Sequence, residues 1–290
     1  MKGFLSPRDC DARVQRWTSP HYLSRNDRVR AAGRLCLILP GTGGLPRDYR
    51  RVADQAADLG LHALVLRYPN DVSINELAGG DVARHEGLRR TVWDGAAREG
   101  GEALPEGESL RDRLVAVLAQ AVCTRPDEGW EAFLSDGDPV WGSLAVVGHS
   151  LGGGYAALMA VDHALERVVC AGWADWDRGE GQIASWISRP WSTPTSRRFC
   201  LFHRRDELVP ESVALRMAAA VCPDATESVV ESEDPPYAHA RVLWTDLDPA
   251  REHPTAAPHH NALAVDVELP RFWDGANMLA DAWTYLLVEN

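Results

Sequence analysis

Short apolar runs alternate along the chain with stretches of helical spacing. The apolar runs have strand length and lie at residues 34–44, 62–70, 143–150, 167–175, 197–206 and 240–248. Helical spacing predicts helices directly after residue 150 and at residues 48–60, 109–122, 211–221 and 275–290, with Ser109 as an N-cap. The strands are continuously apolar, which is typical of strands buried on both faces. The pattern therefore predicts an α/β protein with a mostly parallel central sheet and helices on both faces.

The alternation of predicted strands and helices continues along the chain without a visible domain boundary. No repeat, low-complexity tract or linker is visible in the 290 residues, so residues 1–290 are predicted to form a single domain. Residues 71–109 are polar and glycine-rich with weak periodicity, which indicates an excursion over the surface. This segment and residues 177–196 are predicted to be small lids that cover a pocket.

Composition and charge narrow the class of protein. A hydrophobic content of 45% is enough for a large core, and no apolar run reaches the roughly 18 residues of a membrane span. A net charge of −12 argues against nucleic acid or an anionic membrane surface as the main partner. The N-terminus lacks the apolar segment of a signal peptide, so a cytoplasmic location is expected. The sequence leaves the oligomeric state open.

The chain contains six cysteines and no C-x-x-C pair, so neither a zinc knuckle nor a redox motif is predicted. Cys36, Cys170 and Cys200 lie within strand-like apolar runs, where cysteine usually acts as a small buried hydrophobe. We expect buried thiols. The alternative is one disulfide that involves Cys10, Cys123 or Cys222.

Ser150 lies between four glycines, in the segment LAVVGHSLGGGYAALMA. Its surroundings fit G-x-S-x-G, with a predicted strand before and a helix after. A serine at such a strand-to-helix turn adopts a strained backbone that needs small flanking residues, which Gly148 and Gly152 supply. Gly153 would let the helix approach the sheet. Because loops at the carboxyl ends of parallel strands carry the site, Ser150 is predicted to be a nucleophile.

The segment VVGHSLGGGYAALMA resembles the nucleophile elbow of the α/β-hydrolase family. The resemblance extends from about Arg34 to Asn290, and the motifs follow the family's order. It implies a triad of serine, acid and histidine, together with an oxyanion hole made by two backbone amides.

The resemblance suggests where the two oxyanion amides lie. One belongs to the residue after the nucleophile, Leu151. The other is expected in the loop LPGTGG, at Thr42 or next at Gly43. The family often has His-Gly in this loop, whereas this chain has Pro40-Gly41. No lysine follows these glycines, so the loop does not match a phosphate-binding Walker motif.

The acid of the triad is expected after a later strand. Asp206 ends the strand in FHRRDELVP, as in the family's usual acid loop. Some members take the acid from the preceding strand, which makes Asp175 and Asp177 alternatives. Glu207 is a further candidate.

The histidine is expected between the last strand and the last helix. His253, His259 and His260 lie there, the last two in APHHNALAVD. His260 is the preferred base because a polar residue and a short apolar run follow it, as in several bacterial members. His259 is the main alternative. His149 adjoins the nucleophile and is expected to be structural.

Four tryptophans are candidates for the substrate-binding wall. They lie where the family commonly inserts a cap, although this stretch is too short for a helical lid. Tryptophan suits a pocket wall, so an aromatic acyl or leaving-group site is one interpretation, and packing of the fold is the other. The four residues are Trp173, Trp176, Trp186 and Trp191.

Together these features favour a serine hydrolase of the carboxylesterase, lipase or thioesterase type. It would cleave a carboxylic ester, thioester or lactone of a small molecule through an acyl-enzyme on Ser150. No metal or organic cofactor is implied, because no ligand spacing supports one. An acyltransferase or cyclase with the same triad is the alternative, and a catalytically inactive binding protein is the third interpretation.

Overall fold

The computed structural model describes residues 1–98, 101–250 and 255–288. In that part, nine strands form one sheet, and β5 and β6 form a separate antiparallel pair. In chain order the strands are β1 Lys2–Leu5, β2 His21–Ser24, β3 Leu35–Leu39, β4 His62–Val65, β5 Leu134–Ser135, β6 Asp138–Pro139, β7 Leu144–His149, β8 Arg167–Ala171, β9 Arg198–His203, β10 Glu227–Val229 and β11 Val242–Thr245.

The order of the sheet is β1-β2-β4-β3-β7-β8-β9-β11-β10. β2 runs in the opposite direction to the other eight strands of this sheet, so its pairs with β1 and β4 are antiparallel, and all the pairs from β4 to β10 are parallel. The predicted mostly parallel sheet is confirmed. The N-terminal strands β1 and β2 were not predicted, because their short sequences lack a continuous apolar run.

The predicted helices are present, together with four that the periodicity did not reveal. The helix at Glu211–Val221 has the predicted bounds, and the Oγ of Ser109 accepts the N–H of Asp112 as an N-cap at 3.1 Å. The described α-helices are α1 Pro7–Cys10, α2 Arg50–Asp58, α3 Ile74–Leu77, α4 His85–Asp94, α5 Leu110–Thr124, α6 Leu151–Asp162, α7 Glu211–Val221, α8 Pro258–Asn261 and α9 Ala280–Val288.

The core consists of two apolar layers, one on each face of the sheet. Along β3, Leu37 and Leu39 pack into the layer formed with α4, α5, α6 and α7. Cys36 and Ile38 pack into the opposite layer, formed with α2 and α9. Successive side chains of a strand point to opposite faces, so a strand covered on both sides must be apolar throughout.

The prediction for residues 71–109 is wrong in part. Instead of a surface excursion, the segment contains α3 and α4, and α4 packs against α5 and α6. Leu88, Val92 and Trp93 of α4 are buried in the core, and so is the charged Arg89. The burial of Arg89 breaks the polar–apolar periodicity, which explains why the sequence conceals this helix.

The predicted burial of Cys36, Cys170 and Cys200 is confirmed. Cys222 is also buried, and its Sγ lies 3.9 Å from the Sγ of Cys200. All six cysteines are free thiols. Among the described helices, none has the length and apolar character needed to cross a membrane.

Candidate active site

Ser150 occupies the turn between β7 and α6. Its backbone has φ 54° and ψ −122°, a conformation that residues other than glycine rarely adopt. Its N–H donates to the carbonyl of Ala171 at 2.9 Å, and its carbonyl accepts the N–H of Gly153 at 2.9 Å. A Cβ on Gly153 would lie 2.4 Å from the Cβ of Trp173, so this glycine permits the close approach of α6.

The other glycines of the turn face different neighbours. A Cβ on Gly148 would lie 2.2 Å from the carbonyl oxygen of Gly152, and one on Gly152 would lie 2.0 Å from that of Leu39. These contacts agree with the small flanking residues expected around Ser150. A Cβ on Gly154 would lie 2.0 Å from the guanidinium carbon of Arg89. The fourth glycine therefore makes room for a buried arginine.

His260 on α8 contacts the carboxylate of Asp206, which follows β9. The Nδ1 of His260 lies 2.8 Å from Oδ2 and 3.0 Å from Oδ1 of Asp206. The same carboxylate accepts the amides of Leu208 and Val209, at 2.7 and 2.9 Å, which fixes its orientation. The buried Nε2 of His260 has no hydrogen-bond partner among the described residues. His260 and Ser150 line the same two cavities.

Glu207 and His259 form a second carboxylate–histidine pair beside the first. The Nδ1 of His259 lies 2.6 Å from Oε1 of Glu207, whose carboxylate also accepts the backbone amides of His259 and His260. Burial would raise the pKa of Glu207, but these hydrogen bonds, led by that of His259, lower it. Glu207 thus contacts the backbone of His260 and the ring of its neighbour. His253 lies outside the described residues.

The other candidate acids have different partners. Asp175 is fully buried and forms a two-contact ion pair with Arg89, with 2.7 Å between Oδ2 and Nε. Its Oδ1 also accepts the Nε1–H of Trp173 at 3.1 Å. Burial would raise the pKa of Asp175, but the Arg89 guanidinium holds it below its usual range. Asp177 accepts the amide of Gly179 at 2.7 Å. Both carboxylates are occupied away from His260.

Several amides of the glycine-rich loop after β3 already have hydrogen-bond acceptors. The N–H of Gly41 donates to Oη of Tyr49 at 2.9 Å, and that of Gly43 donates to the carbonyl of Asn70 at 2.7 Å. The amide of Gly43, the second candidate for the oxyanion hole, is thus already bonded in this structure. Thr42 remains the predicted oxyanion donor of this loop.

Two cavities adjoin Ser150 and His260. The smaller has a volume of about 90 Å³, and the larger, bordered by the glycine-rich loop, has a volume of about 570 Å³. Thr42 lines both cavities, and Leu151 lines the smaller one. Many residues that line the larger cavity are small or apolar. They include Gly43, Gly44, Ala256, Ala257, Val265 and Val267.

The four tryptophans divide into two pairs. Trp173 and Trp176 line the smaller cavity, as expected. Trp186 is buried, with its ring centroid 5.9 Å from that of Trp173, and Trp191 packs against the guanidinium of Arg198 at 4.8 Å. Neither of these two is among the described residues that line the cavities at Ser150, so the structure does not bring them to the candidate site. They pack the fold, the alternative that the sequence left open.

A hydrogen-bond chain that the sequence did not reveal links the site's loops. The Oη of Tyr49 lies 2.9 Å from Nδ1 of His149, and Nε2 of His149 lies 3.0 Å from the backbone carbonyl of His260. A carbonyl only accepts, so Nε2 carries the proton and Nδ1 accepts from the phenol. Burial, with the nearby His260, lowers the pKa of His149 to about 3, which keeps the ring neutral. The adjacent His149 is therefore a structural residue.

Comparison with known proteins gives similarity in structure only. No protein-family model and no curated protein sequence matches the chain. A candidate dienelactone hydrolase from Klebsiella pneumoniae has a TM-score of 0.45 and 13% identity, with 91% of each chain covered. A serine hydrolase homologue from Coxiella burnetii has a TM-score of 0.45 and 12% identity, over 85% of this chain and 88% of that one. A lidless serine hydrolase from Xanthomonas campestris has a TM-score of 0.41 and 11% identity, over 85% and 84%.

The fold itself is defined by the chain's own topology. The second strand runs against an otherwise parallel sheet, and a strained serine turn joins β7 to α6. Asp206 and His260 come later in the chain than Ser150, Asp206 after β9 and His260 after β11, which is the order serine, acid, histidine. This chain has the fold of the α/β-hydrolase superfamily.

Proposed function

We propose that this protein is a serine hydrolase that cleaves a carboxylic ester through an acyl-enzyme on Ser150. The observation that carries the proposal is the orientation of the buried His260 ring. Its Nδ1 contacts the Asp206 carboxylate, and its Nε2 has no partner among the described residues and belongs to a side chain that lines the cavities of Ser150. An imidazole held in this way is suited to accept a proton inside the cavity.

The reaction would proceed in two halves. As Oγ of Ser150 attacks the acyl carbon, its proton passes to Nε2 of His260, and the Asp206 carboxylate stabilises the resulting imidazolium. The C–O bond of the tetrahedral intermediate then breaks, and the imidazolium gives its proton to the leaving alcohol. Water attacks the acyl-enzyme while His260 accepts its proton. The acid is released and Ser150 regains its hydroxyl.

The negative oxygen of each intermediate needs donors that exist before the reaction starts. The amides of Thr42 and Leu151 are suited to this role. Thr42 lies in a loop that the bond from Gly43 N–H to Asn70 holds in place, and Leu151 is the first residue of α6. The first amides of a helix lack partners within the helix, and its dipole favours negative charge at this end. Both residues line the smaller cavity with Ser150.

The nucleophile is tested with a fluorophosphonate probe and intact-mass detection. Wild-type protein should gain one probe adduct and hydrolyse p-nitrophenyl esters, with release of the free acid. Ser150→Ala should take no adduct and lose turnover on the order of 10⁴-fold or more, because no other group can form the acyl-enzyme. Equal labelling of the folded Ala variant would remove Ser150 from the mechanism.

The base is tested by comparing neighbouring histidines. His260→Ala should abolish turnover, since general-base loss in a triad costs about 10²–10⁴-fold or more. His259→Ala should retain measurable turnover, because the ring of His259 contacts Glu207 instead of the nucleophile's cavity. The reverse ranking, in variants with native circular dichroism, would contradict the assignment of His260.

A further inference from the structure

The smaller cavity beside Ser150 carries an unusual charge. Among the described residues that line it, the permanently charged side chains are two arginines, Arg89 and Arg178, and no carboxylate is present. Its neutral polar lining, besides Ser150 and His260, includes Thr42, Ser73 and Asn75. Acidic residues outnumber basic ones in this protein, 42 to 30, so composition does not account for a cavity with only positive charges.

The two arginines differ in their state of pairing. Arg89 is buried, and its charge is balanced by Asp175 behind the cavity. Arg178 is exposed and forms no ion pair with any described residue. The carboxylate of the adjacent Asp177 accepts the backbone amides of Gly179 and Glu180 and forms no ion pair with Arg178. Arg178 thus places one guanidinium without an ion-pair partner among the described residues on the cavity.

The neighbouring helix adds to this positive potential. The first residue of α6, Leu151, lines the same cavity, and the N-terminal end of a 12-residue helix carries partial positive charge. The larger cavity differs, since its one charged lining residue among those described is the carboxylate of Asp48. The two sides of Ser150 therefore have opposite preferences for charge.

We propose that the smaller cavity receives a carboxylate of the substrate, bound by Arg178, so that the preferred substrate is an ester that carries a second, free carboxylate. A guanidinium is suited to a carboxylate because its planar N–H groups match the two oxygens. The inference rests on the proposed ester hydrolysis at Ser150 and adds a specificity-determining residue to it.

The test compares esters matched in shape and different in charge. One pair is mono-p-nitrophenyl glutarate and p-nitrophenyl pentanoate, with the charge on the acyl group. The second pair is 4-acetoxybenzoate and phenyl acetate, with the charge on the leaving group. In at least one pair, wild type should prefer the anion in kcat/KM. Arg178→Gln should lower that charged-to-neutral ratio about fivefold to tenfold, and Arg178→Glu should invert it.

Two controls separate this inference from the proposed hydrolysis. Arg28→Gln removes another exposed arginine that does not line the cavity and should leave the ratio unchanged. Calorimetric titration of glutarate into Ser150→Ala measures binding without chemistry, and Arg178→Gln in that background should weaken it by a similar factor. Higher ionic strength should reduce the wild-type preference, because the guanidinium is exposed to salt.

The outcomes are distinguishable. Absence of hydrolysis and of probe labelling would contradict the proposed function. Hydrolysis with equal ratios in wild type and Arg178→Gln, for both ester pairs, would leave the hydrolase in place and overturn the carboxylate site. An Arg178→Glu variant that still prefers the anion would overturn it as well.

Discussion

Asp206 and Asp175 are buried carboxylates that follow neighbouring strands, yet they have different partners. Asp206 contacts the His260 imidazole, and Asp175 contacts the Arg89 guanidinium. In the proposed mechanism, Asp206 acts on the charge that His260 gains during turnover. Asp175 instead compensates a permanent charge within the core. The two substitutions should therefore affect different measurements.

We expect Asp206→Asn to lower kcat by about 10⁴-fold, because an amide disturbs the tautomer of His260, and to change the unfolding free energy little by comparison. Asp175→Asn should lower the unfolding free energy by about 3–5 kcal/mol, since it leaves Arg89 buried without its counter-charge. Urea unfolding and ester turnover of both variants check this contrast. Should Asp175→Asn fold stably and lose turnover as severely, the acid would have to be reassigned.

At the residue scale, the order of residues along the chain predicts the candidate catalytic residues, whereas it does not reveal hydrogen-bond partners that depend on three-dimensional contacts. Ser150, Asp206 and His260 follow strands in an order that a linear pattern retains. The amide of Gly43 looks as available as that of Thr42 until its bond to Asn70 is known. The extra glycine at position 154 is the one linear signal that could have indicated the buried arginine.

Three elements of the site are connected through one phenol. Tyr49 ends the 3₁₀ helix Pro46–Tyr49, accepts from Gly41 in the glycine-rich loop after β3, and donates to His149 at the end of β7. His149 in turn donates to the carbonyl of His260 on α8. These hydrogen bonds thus hold the glycine-rich loop, the end of β7 and His260 in place relative to one another.

Tyr49→Phe should lower kcat about tenfold and the unfolding free energy by about 1–3 kcal/mol. The cause is that Gly41 N–H loses its acceptor and His149 Nδ1 loses its donor inside the protein. Tyr22→Phe is the matched control, because that hydroxyl binds Asp54 away from the cavities. It should lower stability without a change in kcat. Equal kcat for wild type and Tyr49→Phe would contradict a positioning role.

Elements with a simple pattern were predicted well, and elements that depend on long-range contacts were not. The helix Glu211–Val221 has regular amphipathic spacing and was predicted to the residue. The helix His85–Asp94 buries Arg89 among apolar residues, so its pattern resembles that of a polar loop. β2 is stabilised by its pairing with β1 and β4, which lie apart from it in the sequence.

Across the whole molecule, buried neutral histidines couple stability to pH. Burial, with the nearby charges of Arg113 and Arg67, lowers the pKa of His21 to about 3, and His149 has a similar value. In the unfolded chain a histidine has a pKa of about 6.5. Between these values the unfolded state binds more protons than the folded state, so stability is lost as pH falls.

We expect the unfolding free energy to fall from about pH 6.5 downward, by about 1.4 kcal/mol per pH unit for each such histidine. Urea titrations at pH 7, 6 and 5 measure this slope. His21→Gln removes one of these histidines, which lies away from the active site. The dependence of its unfolding free energy on pH should therefore be weaker by about 1.4 kcal/mol per pH unit. A variant slope identical to that of wild type would show that His21 does not supply this dependence.

The close approach of Gly154 to Arg89 has a consequence for how this chain can change over generations. An alanine at position 154 would force the guanidinium of Arg89 to move, which disturbs its ion pair with Asp175. Replacing Arg89 first isolates the buried charge of Asp175, and replacing Asp175 first isolates that of Arg89. Replacement of these residues one at a time therefore passes through a protein of lower folding stability. The three positions can drift together but not separately, and lineages that carry this trio are expected to keep it.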